Sequence, residues 1–352
     1  VKALWVALAW GAAAAGAAAD GVWLTAERVD LLRRRVERGE APNAGAFRAV
    51  EEAAEAALAR DPAAPSTWYV PRRYADREGH YAAKDGLMRD ANGAYAQALR
   101  YRIRGEARFA AGAARVIDAW AAGVQKMEVR DDSRLSFTYH FPAMLFAADL
   151  LAPATAEWPE ERRERFRRFV KERALPMNTM ERDNNWGNWG VLLVASASAY
   201  LGDRAGLEAA ALRWKRLVEL QVGPDGHLHH EVKRNDGAGD FGMWYTHFSI
   251  MPAALGAEVL RVNGIDLFDY AAPGGASLKS AFGVISGWSR DPRRFPYFKG
   301  EVSAMFEPLY CSYFEILNAR WPNPDAAAVL AAGRPWTAIH SAPWLTFTHG
   351  EP

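Results

Sequence analysis

Residues 182–222 read RDNNWGNWGVLLVASASAYLGDRAGLEAAALRWKRLVELQV, and how this stretch folds decides the architecture. From about residue 188 a run rich in alanine, leucine and valine continues to Gly202, the residue type at which helices commonly stop. A second helical pattern occupies 204–222, so two helices with almost nothing between them are expected to pack antiparallel. The same arrangement recurs outward. Thr25 predicts the N-cap of a helix carrying Val29, Leu32 and Val36, with Gly39 as its stop. Met88, Tyr95 and Leu99 mark another that ends near Gly105, and Phe109, Ala113, Val116 and Trp120 form the stripe of the next. Trp158-Pro159 opens a charged helix through EERRERFRRFVKERAL (160–175), with Pro at the favoured first position and Phe166, Phe169 and Val170 behind the charges. Further segments are expected at 247–262, closed by Asn263-Gly264, and more weakly at 277–289, 308–319 and 324–333. Only 343–348 looks strand-like. No repeat of fixed period and no long linker divides the chain. The expectation is one all-α domain of antiparallel helical hairpins, arranged as a solenoid or an α/α toroid.

The composition narrows the partners. Lys and Arg number 43 against 42 Asp and Glu, so the net charge gives no bulk attraction to nucleic acid, and no nucleic-acid partner is expected. Fourteen tryptophans and twelve tyrosines suit both a core and the aromatic walls of a sugar cleft. Lys2, the apolar run Ala3 to Trp10 and Ala17-Ala18-Ala19 read as an export signal over residues 1–19, a buried N-terminal helix being the alternative. The initial Val fits an alternative bacterial start codon. The single Cys311 forms no internal disulfide. The expected protein is bacterial, periplasmic or secreted, monomeric, free of the membrane after signal removal, with residues 20–352 as its domain and no cofactor.

Polar residues poorly suited to helix interiors gather in four loops: 66–85, 133–140, 182–189 and 225–247. On one rim of a toroid they would surround one cleft. Asn184 and Asn185 precede a helix, so one can cap it while the other offers its amide to an anionic ligand. Trp186 and Trp189 are three residues apart, and each can line a cleft or fill the core. His227, His229, His230 and Glu231 follow a turn at Asp225-Gly226, but H-x-H-H-E is no trusted metal spacing, and no metal is expected. Arg234 can grip a carboxylate bidentately, and Tyr245 can project into the cleft from just before a helix. Arg72, Arg73, Lys84, Tyr139, His140 and His247 complete the candidate set. For each, a solvated turn or a satisfied core position is the structural alternative.

At these residues the chain resembles the alginate-lyase-like polysaccharide lyases. The resemblance runs over roughly 65–270 through DREGHYAAKDGLMRDANGAYAQALRYRIRGEARFA (76–110), NNWGNWG (184–190), YLGD (200–203), EVKRND (231–236) and YTHFSIMPAALGAEVLRVNGIDLFDY (245–270). It implies an incomplete α/α toroid and β-elimination on a uronic-acid polymer. By the same resemblance an Asn, usually a His of an NNH motif, and an Arg hold the substrate carboxylate. A Tyr takes the C5 proton and returns one to the leaving O4. Tyr245, Asn184, Asn185 and Arg234 match these roles. Trp186 stands where the motif's His would be, which leaves the imidazole to His140, His229 or His230, with His247 a weaker candidate. A second arginine of the family's stretch falls on Gly237. Two other functions stay open: a toroidal glycoside hydrolase using carboxylates among Asp183, Glu231, Asp236 and Asp240, and a non-catalytic glycan-binding protein.

Overall fold

The computed structural model describes residues 21–234, 241–297 and 308–352. Residues 1–19, expected above to be an export signal, and Asp236, Gly237 and Asp240 lie outside them. Helices α1 (Ala26–Glu37) and α2 (Asn43–Leu58) precede the long α3 (Arg77–Arg104) and α4 (Ala107–Gly123). Then come the short α5 (Ser133–Thr138), α6 (Pro142–Leu150) and α7 (Glu160–Phe169). The hairpin α8 (Asn185–Leu201) and α9 (Arg204–Gln221) is followed by α10 (Phe241–Val262) and α11 (Leu278–Arg290). The chain closes with α12 (Phe314–Arg320), α13 (Pro324–Gly333) and α14 (Leu345–His349). Among the described residues the only strands are a parallel pair of two residues each, Thr67–Trp68 beside Lys126–Met127. This is a single-domain α/α toroid.

The capping residues explain where these helices begin and end. Thr25 accepts from the Arg28 amide, Asp76 from Gly79 and Asp203 from Gly206, each satisfying a first-turn N–H that has no partner within its helix. Gly105 and Gly202 end α3 and α8 in the left-handed region, at φ 76° and 69°. Helices α3, α6, α8 and α10 pack in succession as an inner row, with α2 and α4 outside α3 and with α9 outside α8. Helix α10 is buried on almost every side from Gly242 to Leu260, which is why it reads as apolar all round rather than amphipathic. The C-terminal segment returns to the start of the chain, where the buried Asn43 Nδ2 donates to Phe347 O (2.7 Å) and Gly350 O (3.0 Å).

Several boundaries differ from expectation. The 343–348 segment is helical, not a strand; its Leu345, Thr346 and Phe347 are all buried, so β-like residue types reflect packing on α2 and α12. Pro159 occupies the N-cap of α7 rather than its first turn. The 133–140 loop contains α5, and 308–319 divides into a 3₁₀ turn at Pro308–Cys311 and α12. Helix α8 starts three residues earlier than expected. Helix α10 starts six residues earlier, so Tyr245 lies inside it and not just before it.

Candidate active site

One cleft of about 860 Å³ opens where α3, α5, α8 and α10 meet the C-terminal segment. The N-terminal turns of α10 supply Trp244, Tyr245 and Phe248, and the start of α8 supplies Asn185 and Trp186. Arg234 comes from the turn after α9. The segment before α3 contributes Arg72, Arg73 and Tyr74, and the first turns of α3 contribute Arg77, His80, Tyr81 and Lys84. Asp132 and Tyr139 flank α5, and Tyr310 and His340 reach in from the C-terminal part.

Why asparagines, tryptophans and glycines crowd into 184–190 is now visible. Asn184 Oδ1 accepts from the Trp186 amide (3.1 Å) and so caps α8, while Asn185 turns inward. A Cβ at Gly187 would collide with the Arg182 carbonyl, and one at Gly190 with the Met180 backbone. Only glycine lets the preceding loop cross α8 so closely. Trp186 lines the cleft; Trp189 is fully buried behind Tyr139, with ring centroids 5.8 Å apart.

Tyr245 is 7 % exposed and its hydroxyl lies 2.9 Å from that of Tyr74. The Arg234 guanidinium carbon sits 3.9 Å from the centre of the Tyr245 ring, a cation–π contact. Burial, and secondarily the bond to Tyr74, push the Tyr245 phenol well above its ordinary value; Arg234 pulls the other way. Glu231 is fully buried. Its Oε1 accepts from Asn185 N (3.0 Å) and Asn185 Nδ2 (2.8 Å), and its Oε2 lies 3.4 Å from Arg234 Nη1. Burial raises the Glu231 carboxyl, against those donors.

Across the cleft, Asp132 accepts from the Arg73 amide (2.9 Å) and lies 3.4 Å from His80 Nδ1. Its burial works against ionisation, but His80 and the Arg73 amide outweigh it and hold the carboxyl below its usual range. His80 Nδ1 also meets the Pro71 carbonyl at 2.9 Å. A carbonyl can only accept, so Nδ1 carries the proton. Lys84 pairs with Asp85 at 3.0 Å and stands 4.8 Å from the Tyr81 ring centre. His340 is 5 % exposed, with neither ring nitrogen hydrogen-bonded to the protein. Burial depresses it to about 3, so it is neutral at ordinary pH.

The structure thus brings Tyr245, Asn185, Arg234, Trp186, Tyr139, Arg72, Arg73 and Lys84 to one cleft and leaves the remaining candidates outside it. Asn184 is used as the cap. His229 and His230 are exposed on the outer turn, because the bridge between Val222 and Leu228 turns Leu228 inward and the following histidines out. His140 is fully buried beneath Tyr139 and His340, and burial lowers it well below its ordinary value. His247 is also in the core, 3.1 Å from both Tyr313 Oη and Ser289 Oγ, and burial lowers it to about 3. Sequence reasoning did not single out Tyr74, Arg77, His80, Tyr81, Trp244, Phe248, Tyr310 or His340. Tyr74 and His80 belong to a loop it had marked as polar, whereas nothing local distinguishes His340.

Among the described residues, the candidate carboxylates Asp183 and Glu231 do not form an acid–base pair in the cleft. Asp183 is exposed and bonded to Arg213 (2.7 Å), and Glu231 is consumed by Asn185 and Arg234. Asp132 is the one carboxylate lining the cleft among the described residues, and no cluster of three metal-ligating side chains occurs among them. Five cationic side chains, Arg72, Arg73, Arg77, Lys84 and Arg234, line the same cleft.

Fold and family match together place the protein in the class of α/α-toroid polysaccharide lyases. The family model described as alginate lyase matches residues 38–295, and the chain belongs to that family. Similar solved structures include an alginate lyase from Bacteroides ovatus, 16% identical, with a TM-score of 0.69 over 94% of this chain and 99% of that one. Alginate lyase A1-III from a Sphingomonas species is 17% identical, with a TM-score of 0.69 over 92% and 95% of the two chains. A histidine-to-alanine variant of A1-III complexed with a tetrasaccharide is 16% identical, with a TM-score of 0.74 over 92% and 94%. No curated protein sequence matches the chain significantly.

Proposed function

We propose that the protein cleaves an anionic, uronic-acid-containing polysaccharide (alginate, glucuronan or a related polymer) by β-elimination in this cleft, with Tyr245 as the proton-transfer group. The supporting observation is the stack of Arg234 on Tyr245 beside Asn185, in a cleft lined by five cations and one carboxylate. Carboxylates partner three of these cations, Arg72 by Asp131, Lys84 by Asp85 and Arg234 by Glu231, so the cleft keeps a modest excess of positive charge that suits an anionic chain.

The chemistry has a well-defined obstacle. A proton on the carbon beside a carboxylate is very weakly acidic, because its removal places a second negative charge on the same group. Fixed donors that meet this aci-carboxylate lower the barrier most. Arg234 supplies a charged planar fork and Asn185 a neutral amide for that purpose. The Tyr245 oxygen, as phenolate, takes the C5 proton. The electron pair moves through the aci-carboxylate to form the C4–C5 double bond, and the C4–O4 bond breaks. The phenol then returns its proton to the leaving oxygen, which becomes the reducing-end hydroxyl of the other fragment. Arg234 favours the phenolate electrostatically, against the burial that opposes it. Trp186, Trp244 and Tyr139 form apolar walls for sugar rings.

The test is a panel of uronate polymers monitored for the near-ultraviolet absorbance of the unsaturated product. Reducing ends formed without that absorbance, on whichever polymer is cut, would replace elimination by hydrolysis. Export to the periplasm or medium, and action as a monomer, belong to the same reading. N-terminal sequencing of secreted material should find Asp20 first.

A further inference from the structure

Glu231 is fully buried and absent from the lining of the cleft, yet both its oxygens face donors on two residues that do line it. Its Oε1 accepts both the backbone and side-chain N–H of Asn185, and its Oε2 faces Arg234. Burying a carboxylate costs several kcal/mol unless donors surround it, and here the donors come from the start of α8 and the turn after α9. A merely structural carboxylate could have used any nearby amide. This one takes both proposed carboxylate-gripping groups.

We propose that Glu231 is a positioning residue that fixes Asn185 and Arg234 as one preorganised unit; the proposal rests on the lyase reading above. An ionised carboxylate only accepts hydrogen bonds, so it dictates which edge of the Asn185 amide faces it and removes the flip that would exchange oxygen and nitrogen. The second hydrogen-bonded contact, through the Asn185 backbone, stops the side chain from swinging with α8. On the other oxygen, the charge of Glu231 holds the turn bearing Arg234 against Tyr245. Donors fixed before reaction act on charge that develops in the transition state without reorganising.

The experiment compares Glu231→Gln and Glu231→Asp with the unsubstituted protein on whichever uronate polymer that protein cleaves. Gln keeps an acceptor for Asn185 and loses the charge opposite Arg234; Asp keeps the charge and withdraws it by one methylene. Expected in either variant that folds is a fall in kcat of about 10- to 100-fold with KM changed less than about threefold, because the many cations share ground-state binding. In an Asn185→Ala background the same substitution should lose much less, since part of its route is already gone. Equal loss in both backgrounds, or an unchanged kcat, overturns the positioning role while the lyase reading stands. A parent protein that cleaves no uronate polymer removes that reading and the positioning role with it.

Discussion

The hydroxyls of Tyr74 and Tyr245 lie 2.9 Å apart, joining a residue that is 76 % exposed to a nearly buried one that lines the cleft from α10. The bond has an electrostatic consequence. It disfavours loss of the Tyr245 proton, as burial does more strongly, whereas Arg234 favours it. A base that works as phenolate becomes more populated as pH rises, so kcat/KM should climb into the alkaline range. Tyr74→Phe removes one of the two raising influences, and the alkaline limb should move to lower pH. A pH–rate profile of the variant measures this directly; a limb that stays in place or moves upward would show that the contact with Tyr74 does not oppose ionisation of Tyr245 during turnover.

Tyr245→Phe deletes the proposed proton-transfer oxygen and keeps the ring under Arg234. Turnover should fall by about 10³-fold or more, while oligosaccharide affinity measured by calorimetry stays within about threefold. Retained turnover would remove the phenol from the mechanism.

Arg234→Ala removes both the stacked cation and the proposed donor to the substrate carboxylate. The expected loss in kcat/KM is about 10²-fold, with kcat and KM both affected. Arg234→Lys should recover little, because an ammonium neither forks onto a carboxylate nor stacks flat on the Tyr245 ring. Steady-state kinetics of the two variants side by side distinguishes geometry from charge.

These assignments show what the sequence could and could not convey. Hairpin structure was legible because capping chemistry is local: Thr25, Gly105 and Gly202 act on their own helix ends. Asn184 and Asn185 carried no such local distinction. Which one caps and which turns inward is decided by Glu231, forty-six residues from Asn185, waiting under α8. The histidines misled for a related reason. His229 and His230 looked functional in a polar turn, but the direction of a side chain there depends on the bridge at Val222 and Leu228. His340 reaches the cleft only because Ser341 N and Oγ both donate to the Tyr139 carbonyl, at 3.0 and 3.1 Å, and pin a distant segment beside α5. No spacing rule anticipates that contact.

Glu258 lies on the same helix as Tyr245, at the seam where α10 meets the chain ends, and it should set the acid limit of the fold. Burial opposes its ionisation, but Arg261 binds it through two contacts of 2.8 and 2.6 Å and His349 Nε2 lies 3.5 Å away, bringing it to about 2. Burial keeps His349 itself below its ordinary value, so Arg261 is the partner that brings the charge. A carboxyl depressed in the folded state stabilises above its unfolded value, near 4.5, and loses that contribution as pH falls through about 2. The contribution is on the order of 3 kcal/mol at neutral pH. Denaturant unfolding between pH 5 and about 2 should therefore show stability falling with pH, with Glu258→Gln less stable at pH 5 and flatter across that window. Equal slopes for the two proteins would place the acid sensitivity elsewhere.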